Sequence, residues 1–98
     1  MTQSYSSGNW KAKAGEEEAF VKAWTRFAQW LGTMPGSGTA HLTESLDEPG
    51  HYLSFAPWES AEQMHAWKSD PAFKEKMGAV QAHVAEFTPT EWELVVEV

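Results

Sequence analysis

Cysteine is absent from this chain of 98 residues. Its absence excludes disulfides, thiolate catalysis, and zinc or iron–sulfur sites built on cysteine. Positive charge is scarce: seven lysines and arginines stand against fourteen aspartates and glutamates, a formal net charge of −7. That balance argues against a nucleic-acid or anionic-membrane partner. No apolar run approaches the roughly 20 residues of a bilayer span, and no signal-peptide pattern opens the chain. A cytoplasmic protein is the expectation. Metal spacings are missing as well, because the four histidines form neither H-x-x-x-H nor H-E-x-x-H, so no metal site is expected. The "GSG" at Gly36 to Gly38 lacks the lysine of a phosphate loop, and no dinucleotide fingerprint is present.

Aromatic residues, by contrast, are plentiful. Six tryptophans, two tyrosines and five phenylalanines serve a chain long enough for one domain, residues 1–98. Those that do not fill the core must line a pocket or an interface.

The pattern along the chain predicts alternating strands and helices. Trp10, Ala12 and Ala14 alternate with Lys11 and Lys13, as in a short strand with one wetted face, and Gly15 breaks it. Phe20, Trp24, Phe27 and Leu31 follow at steps of four, three and four, one face of a helix. Glutamates in its first turn suit the helix dipole, and Gly32 is placed to end it. "TAHLTESL" and "HYLSFAPW" read as a hairpin joined through "DEPG". In the second of these strands Tyr52, Ser54, Ala56 and Trp58 share one face, and Leu53 and Phe55 the other. Ser60 is an N-cap with Gln63 completing a capping box, and Met64 and Trp67 turn inward from the short helix that follows. Pro71 restarts a helix, whose stripe is Phe73, Met77, Val80, Val84 and Phe87. After Pro89, a last strand carries Trp92, Leu94, Val96 and Val98 on one face.

The order is therefore β-α-β-β-α-β with the second helix in two pieces. It is an α+β, ferredoxin-like arrangement in which helices cover one face of an antiparallel sheet. Leu53 and Phe55, on the uncovered face, need a second cover. A homodimer with two sheets face to face is the expectation.

The segments "SGNWKAKAGEEEAFVKAW", "MPG", "FAPWESAEQMHAWKSDPAFKEKM" and "EFTPTEWELV" together resemble the antibiotic biosynthesis monooxygenase (ABM) domain, from about Tyr5 to the C-terminus. The resemblance implies a dimeric α/β barrel. Active members of that family oxidise anthrones, quinols or haem, held between helices and sheet. Residue by residue the likeness is partial. Trp58 matches the anthrone oxygenases, but Ser54 replaces their asparagine and Met64 their tyrosine. Trp67 resembles the tryptophan of haem-degrading members, whereas Met77 stands where they carry the iron-ligating histidine, and Asn9 is one position from their asparagine. Quinol-oxidising members carry histidine where Trp67 stands.

The chemistry expected needs no cofactor. A base removes a proton from a small aromatic substrate, and the resulting anion reduces O₂ directly in a dry pocket. Histidine suits the role, with an unperturbed pKa of about 6.5. His51 sits beside a turn and His65 at a helix rim. His41, in a strand expected to be sandwiched, is either a satisfied core histidine or a base. His83, beside the inward stripe, is the second candidate base. Trp58 and Trp67, converging from a strand end and the next helix, are expected to form a slot for an aromatic ligand or simply to seal a hydrophobic corner. Trp24, Phe27, Ser54 and Met77 complete the expected substrate-binding wall. The alternative to an oxygenase is a non-catalytic dimeric module that binds an aromatic ligand.

Overall fold

The structure, a computed structural model, describes residues 3–98. Seven elements follow one another: β1 (Ser4–Ala12), α1 (Glu17–Leu31), β2 (His41–Glu44), β3 (His51–Trp58), α2 (Ala61–Lys68), α3 (Phe73–Gln81) and β4 (Val84–Glu93). The sheet is antiparallel throughout, in the order β2-β3-β1-β4, with the helices packed on one face. This is the ferredoxin-like α+β topology expected from the sequence. Among the described residues, no helix is long and apolar enough to cross a membrane.

β1 is the element least visible in the sequence. The alternation at Trp10 to Ala14 marks only its end, because the strand starts at Ser4 and stops at Ala12. Its inward positions are Ser4, Ser6, Gly8, Trp10 and Ala12, all buried. Ser6 here and Ser54 on β3 are polar for a reason. Ser6 Oγ accepts a hydrogen bond from the Trp58 indole N–H at 3.0 Å, and Ser54 Oγ on β3 accepts one from Trp10 at 2.9 Å. These two indoles, Trp10 and Trp58, are thus buried with their single donor satisfied.

Gly8 has a steric role. A Cβ there would lie 2.7 Å from Trp10 Nε1 and 2.9 Å from the Phe87 ring. Phe87 is itself stacked on Trp10, with ring centroids 4.0 Å apart. Gly8→Ala is therefore expected to destabilise the protein by about 1–3 kcal/mol, the usual result of forcing a methyl group into a filled space. A denaturant titration checks this, and an unchanged midpoint would show that the stacked pair can yield.

The second half of the chain corrects two expectations. α3 ends at Gln81, and Val84 and Phe87 lie in β4. The spacing of Phe73, Met77, Val80, Val84 and Phe87 imitates a helical stripe across a helix–strand boundary. β4 ends at Glu93, so most of the expected last strand, Leu94 to Val98, lies beyond it, although the Leu94 N–H still bonds the Gln3 carbonyl at 2.8 Å. Pro89 falls inside β4, opposite Gly8. An edge strand tolerates proline because one row of its N–H groups has no ladder partner. α1 ends at Leu31 with Gly32 as its C-cap, as expected. Gly32 is right-handed at φ −63°, and the loop that follows turns at Gly36, at φ +83°. The Ser60 cap forms as expected, its Oγ accepting the Gln63 N–H at 3.2 Å.

Candidate functional site

Between the helix layer and the inner face of the sheet lies a cavity of about 230 Å³. β1 and β3 supply its floor through Ser6, Gly8, Trp10 and Ser54. From the helices come Trp24, Phe27, Trp67, Phe73 and Met77, and β4 adds Phe87. Aromatic rings meet at the edges of this wall: Phe27 and Trp67 have centroids 5.7 Å apart, and Phe73 stands edge-on to Trp67 at 5.0 Å. Such a lining suits a flat aromatic ligand, with a few polar groups to orient it.

Five of the expected wall residues, Trp24, Phe27, Ser54, Trp67 and Met77, line this cavity. Trp58 does not. It is fully buried behind Trp67, the two rings stacked at 5.1 Å, and its N–H is spent on Ser6. The pair therefore divides at this corner: Trp67 lines the cavity and Trp58 is buried behind it.

Neither candidate base reaches the cavity. His41 starts edge strand β2 opposite Phe55, and its exposed ring stacks on that residue at 5.2 Å. Phe55 alternates with the inward Ser54 and Ala56, so His41 projects from the outer face of the sheet. His83 follows α3, and its Nδ1 is 2.9 Å from a carboxylate oxygen of Glu16, just before α1. It lies half-buried between chain segments, away from the cavity wall. None of the four histidines lines the cavity.

The ionic group at the cavity wall is one the sequence reading passed over. Lys68, the last residue of α2, lines the cavity, and its Nζ lies 2.9 Å from Glu91 Oε2. The other oxygen of Glu91 is 2.8 Å from His65 Nε2. Two residues of α2 and one of β4, remote in sequence, thus form one chain of polar contacts from the cavity wall to the surface. The hydrogen bond from Lys68, followed by that from His65, holds the Glu91 carboxyl below the ordinary glutamate range. A carboxyl lowered on folding stabilises the protein above its unfolded pKa of about 4.3, and that contribution fades as pH falls through the lower folded value. The stability difference between the wild type and Glu91→Gln should therefore be present above the unfolded pKa of about 4.3 and shrink as the solution is made more acidic than that. Glu91 is 40% exposed, so the difference is small, and denaturant midpoints on both sides of that pKa measure it.

The sequence model for antibiotic biosynthesis monooxygenases matches residues 7–79. The chain belongs to the antibiotic biosynthesis monooxygenase family. No curated protein matches it by sequence. Among solved structures, a candidate monooxygenase of this family from Deinococcus radiodurans superposes with a TM-score of 0.85 at 22% identity, over 97% of this chain and 95% of that one. SnoaB, a cofactor-independent oxygenase from Streptomyces nogalater, gives 0.82 at 16% identity over 100% and 96%. A conserved protein from Methanosarcina mazei gives 0.83 at 12% over 94% and 92%. At these identities the likeness is one of fold. In this ABM protein the side chains must carry the argument about chemistry.

Proposed function

We propose that this ABM protein is a cofactor-independent monooxygenase that acts on an aromatic polyketide or quinol-type substrate in the cavity under its helices. The supporting observation is the cavity itself, walled by Trp24, Phe27, Trp67 and Phe73 and floored by the hydroxyls of Ser6 and Ser54. A flat ring system is the ligand such walls bind best, and excluding water from it favours direct electron transfer to O₂. The substrate loses a proton and its anion gives one electron to O₂. The two radicals combine into a peroxide, and loss of water leaves a carbonyl. The balance is R₂CH₂ and O₂ giving R₂C=O and H₂O, with the substrate as the only reductant. Since no histidine lines the cavity, the proton is given up to bulk solvent before the substrate is enclosed, which favours substrates that are partly ionised in solution.

The assembly proposed is a homodimer. Leu53, Phe55 and Trp92 are 47%, 36% and 57% exposed. All three belong to the sheet face opposite the helices, where a second copy would cover them.

Incubation with anthrone in an oxygen electrode tests the function. One O₂ is expected to be consumed per carbonyl formed, at a rate above the buffer control. Equal rates with and without protein, across anthrone and quinol substrates, would overturn the oxygenase reading. The absence of a histidine from the cavity wall favours a second reading, a dimeric module that binds an aromatic ligand without turnover. Its signature is calorimetric binding of the same compounds with no O₂ uptake.

A further inference from the structure

Trp67 and Lys68 are neighbours at the end of α2, and both line the cavity. Trp67 is only 4% exposed, and its indole N–H has no hydrogen-bond partner. The other two buried tryptophans differ, since Trp10 and Trp58 each donate to a serine. A buried donor left unpaired costs stability, and such groups are rare unless something else meets them. Lys68 adds a charge. Among the described residues that line the cavity it is the one cationic side chain, in a chain of net charge −7. Its partner Glu91 also contacts His65, so the carboxylate keeps a neighbour if the ammonium turns toward a ligand.

An indole donor and an ammonium beside an aromatic slot are complementary to oxygen that carries negative charge. Resting on the aromatic-ligand reading above, we propose that the cavity selects ligands whose aromatic ring bears an anionic oxygen, a phenolate or enolate, held by Lys68 Nζ and the Trp67 indole N–H. These two residues then determine specificity. By stabilising the anion, Lys68 also draws the ligand toward the form that can reduce O₂, which offsets the lack of a histidine at the wall.

Isothermal calorimetry with 4-nitro-1-naphthol, ionised at mildly alkaline pH, and with its neutral methyl ether separates the claims. The wild type is expected to bind the naphtholate about tenfold more tightly than the ether, the worth of one charge-assisted contact. Lys68→Met should bring the two affinities together and raise the apparent pKa of the bound naphthol. Glu91→Gln, which frees the ammonium, should tighten naphtholate binding, and Trp67→Phe should weaken the naphtholate more than the ether. If the wild type binds both equally, or Lys68→Met leaves the preference intact, the inference falls and the aromatic cavity stands. If neither compound binds, the aromatic reading falls with it.

Discussion

Trp58→Ala is expected to cost about 4 kcal/mol, the range found when a buried large aromatic is truncated. Trp58 is fully buried, stacked on Trp67, and donates its N–H to Ser6. Truncation opens a void beneath Trp67 and leaves the buried Ser6 hydroxyl without its donor. Both effects are contained in the cost of this one truncation. For a domain of about 100 residues, where 1 kcal/mol moves the melting point by roughly 4–8 °C, the expected fall is on the order of 20 °C. Trp58→Phe restores most of the volume but not the N–H and should recover about half of the loss. A loss under about 1 kcal/mol for the alanine variant would mean that the corner repacks and Trp58 is no keystone of the fold. The prediction also separates the two indoles. Ligand affinity measured at a temperature where Trp58→Phe remains folded should follow the wild type, because Trp67 faces the cavity and Trp58 does not.

Where the hydrophobic period was clean, the sequence was legible. Phe20, Phe27 and Leu31 are buried on α1 as their spacing requires, and Tyr52, Ser54, Ala56 and Trp58 are buried together on β3 while Leu53 and Phe55 are exposed. The topology followed from those elements. β1 was hidden because its inward positions are serine and glycine. Nothing in a hydropathy pattern indicates that Ser6 accepts from Trp58 across the sheet, or that Gly8 makes room for the stacked Trp10 and Phe87. β4 was misplaced for the opposite reason. Two inward strand residues, Val84 and Phe87, happened to continue the rhythm of α3, and Pro89 looked like a terminator although it sits in an edge strand.

Apart from Ser54, the cavity wall was legible in its apolar part only. Trp24, Phe27, Trp67 and Met77 were recognisable because helical periodicity fixes which residues face the sheet. The polar part depends on pairings between distant segments. The strand pattern alone places His41 in a sandwiched strand, yet β2 is an edge strand and His41 falls on its outer face. Lys68, by contrast, carries only a weak local signal. A lysine at a helix end is ordinarily solvated, and only the register that sets Glu91 opposite Ser6 shows what Lys68 meets. A lysine one position after an inward tryptophan at a helix C-terminus is the cue that could have been used, since a long side chain there can reach back over the cavity rim.

The uncovered sheet face carries the second large prediction: Phe55→Glu should turn the proposed dimer into a monomer. Phe55 lies on β3, one strand in from the edge, with His41 stacked beside it and Leu53 two residues away on the same face. If two copies cover each other there, each dimer must bury two introduced carboxylates, and the penalty is several kcal/mol per ion once water is excluded. The dissociation constant should rise at least about 100-fold, equivalent to roughly 2.7 kcal/mol. Sedimentation equilibrium at micromolar concentration measures it, with far-UV circular dichroism confirming that the monomer remains folded. Val21→Glu is the control. Val21 is 39% exposed but lies on α1, in the helix layer, so a charge there should leave the association unchanged. A wild type that sediments as a monomer, or a Phe55→Glu variant that associates as tightly as the wild type, would rule out this face as the contact. Leu53, Phe55 and Trp92 would then be exposed for some other reason, since an open apolar face of this kind in a lone subunit invites aggregation.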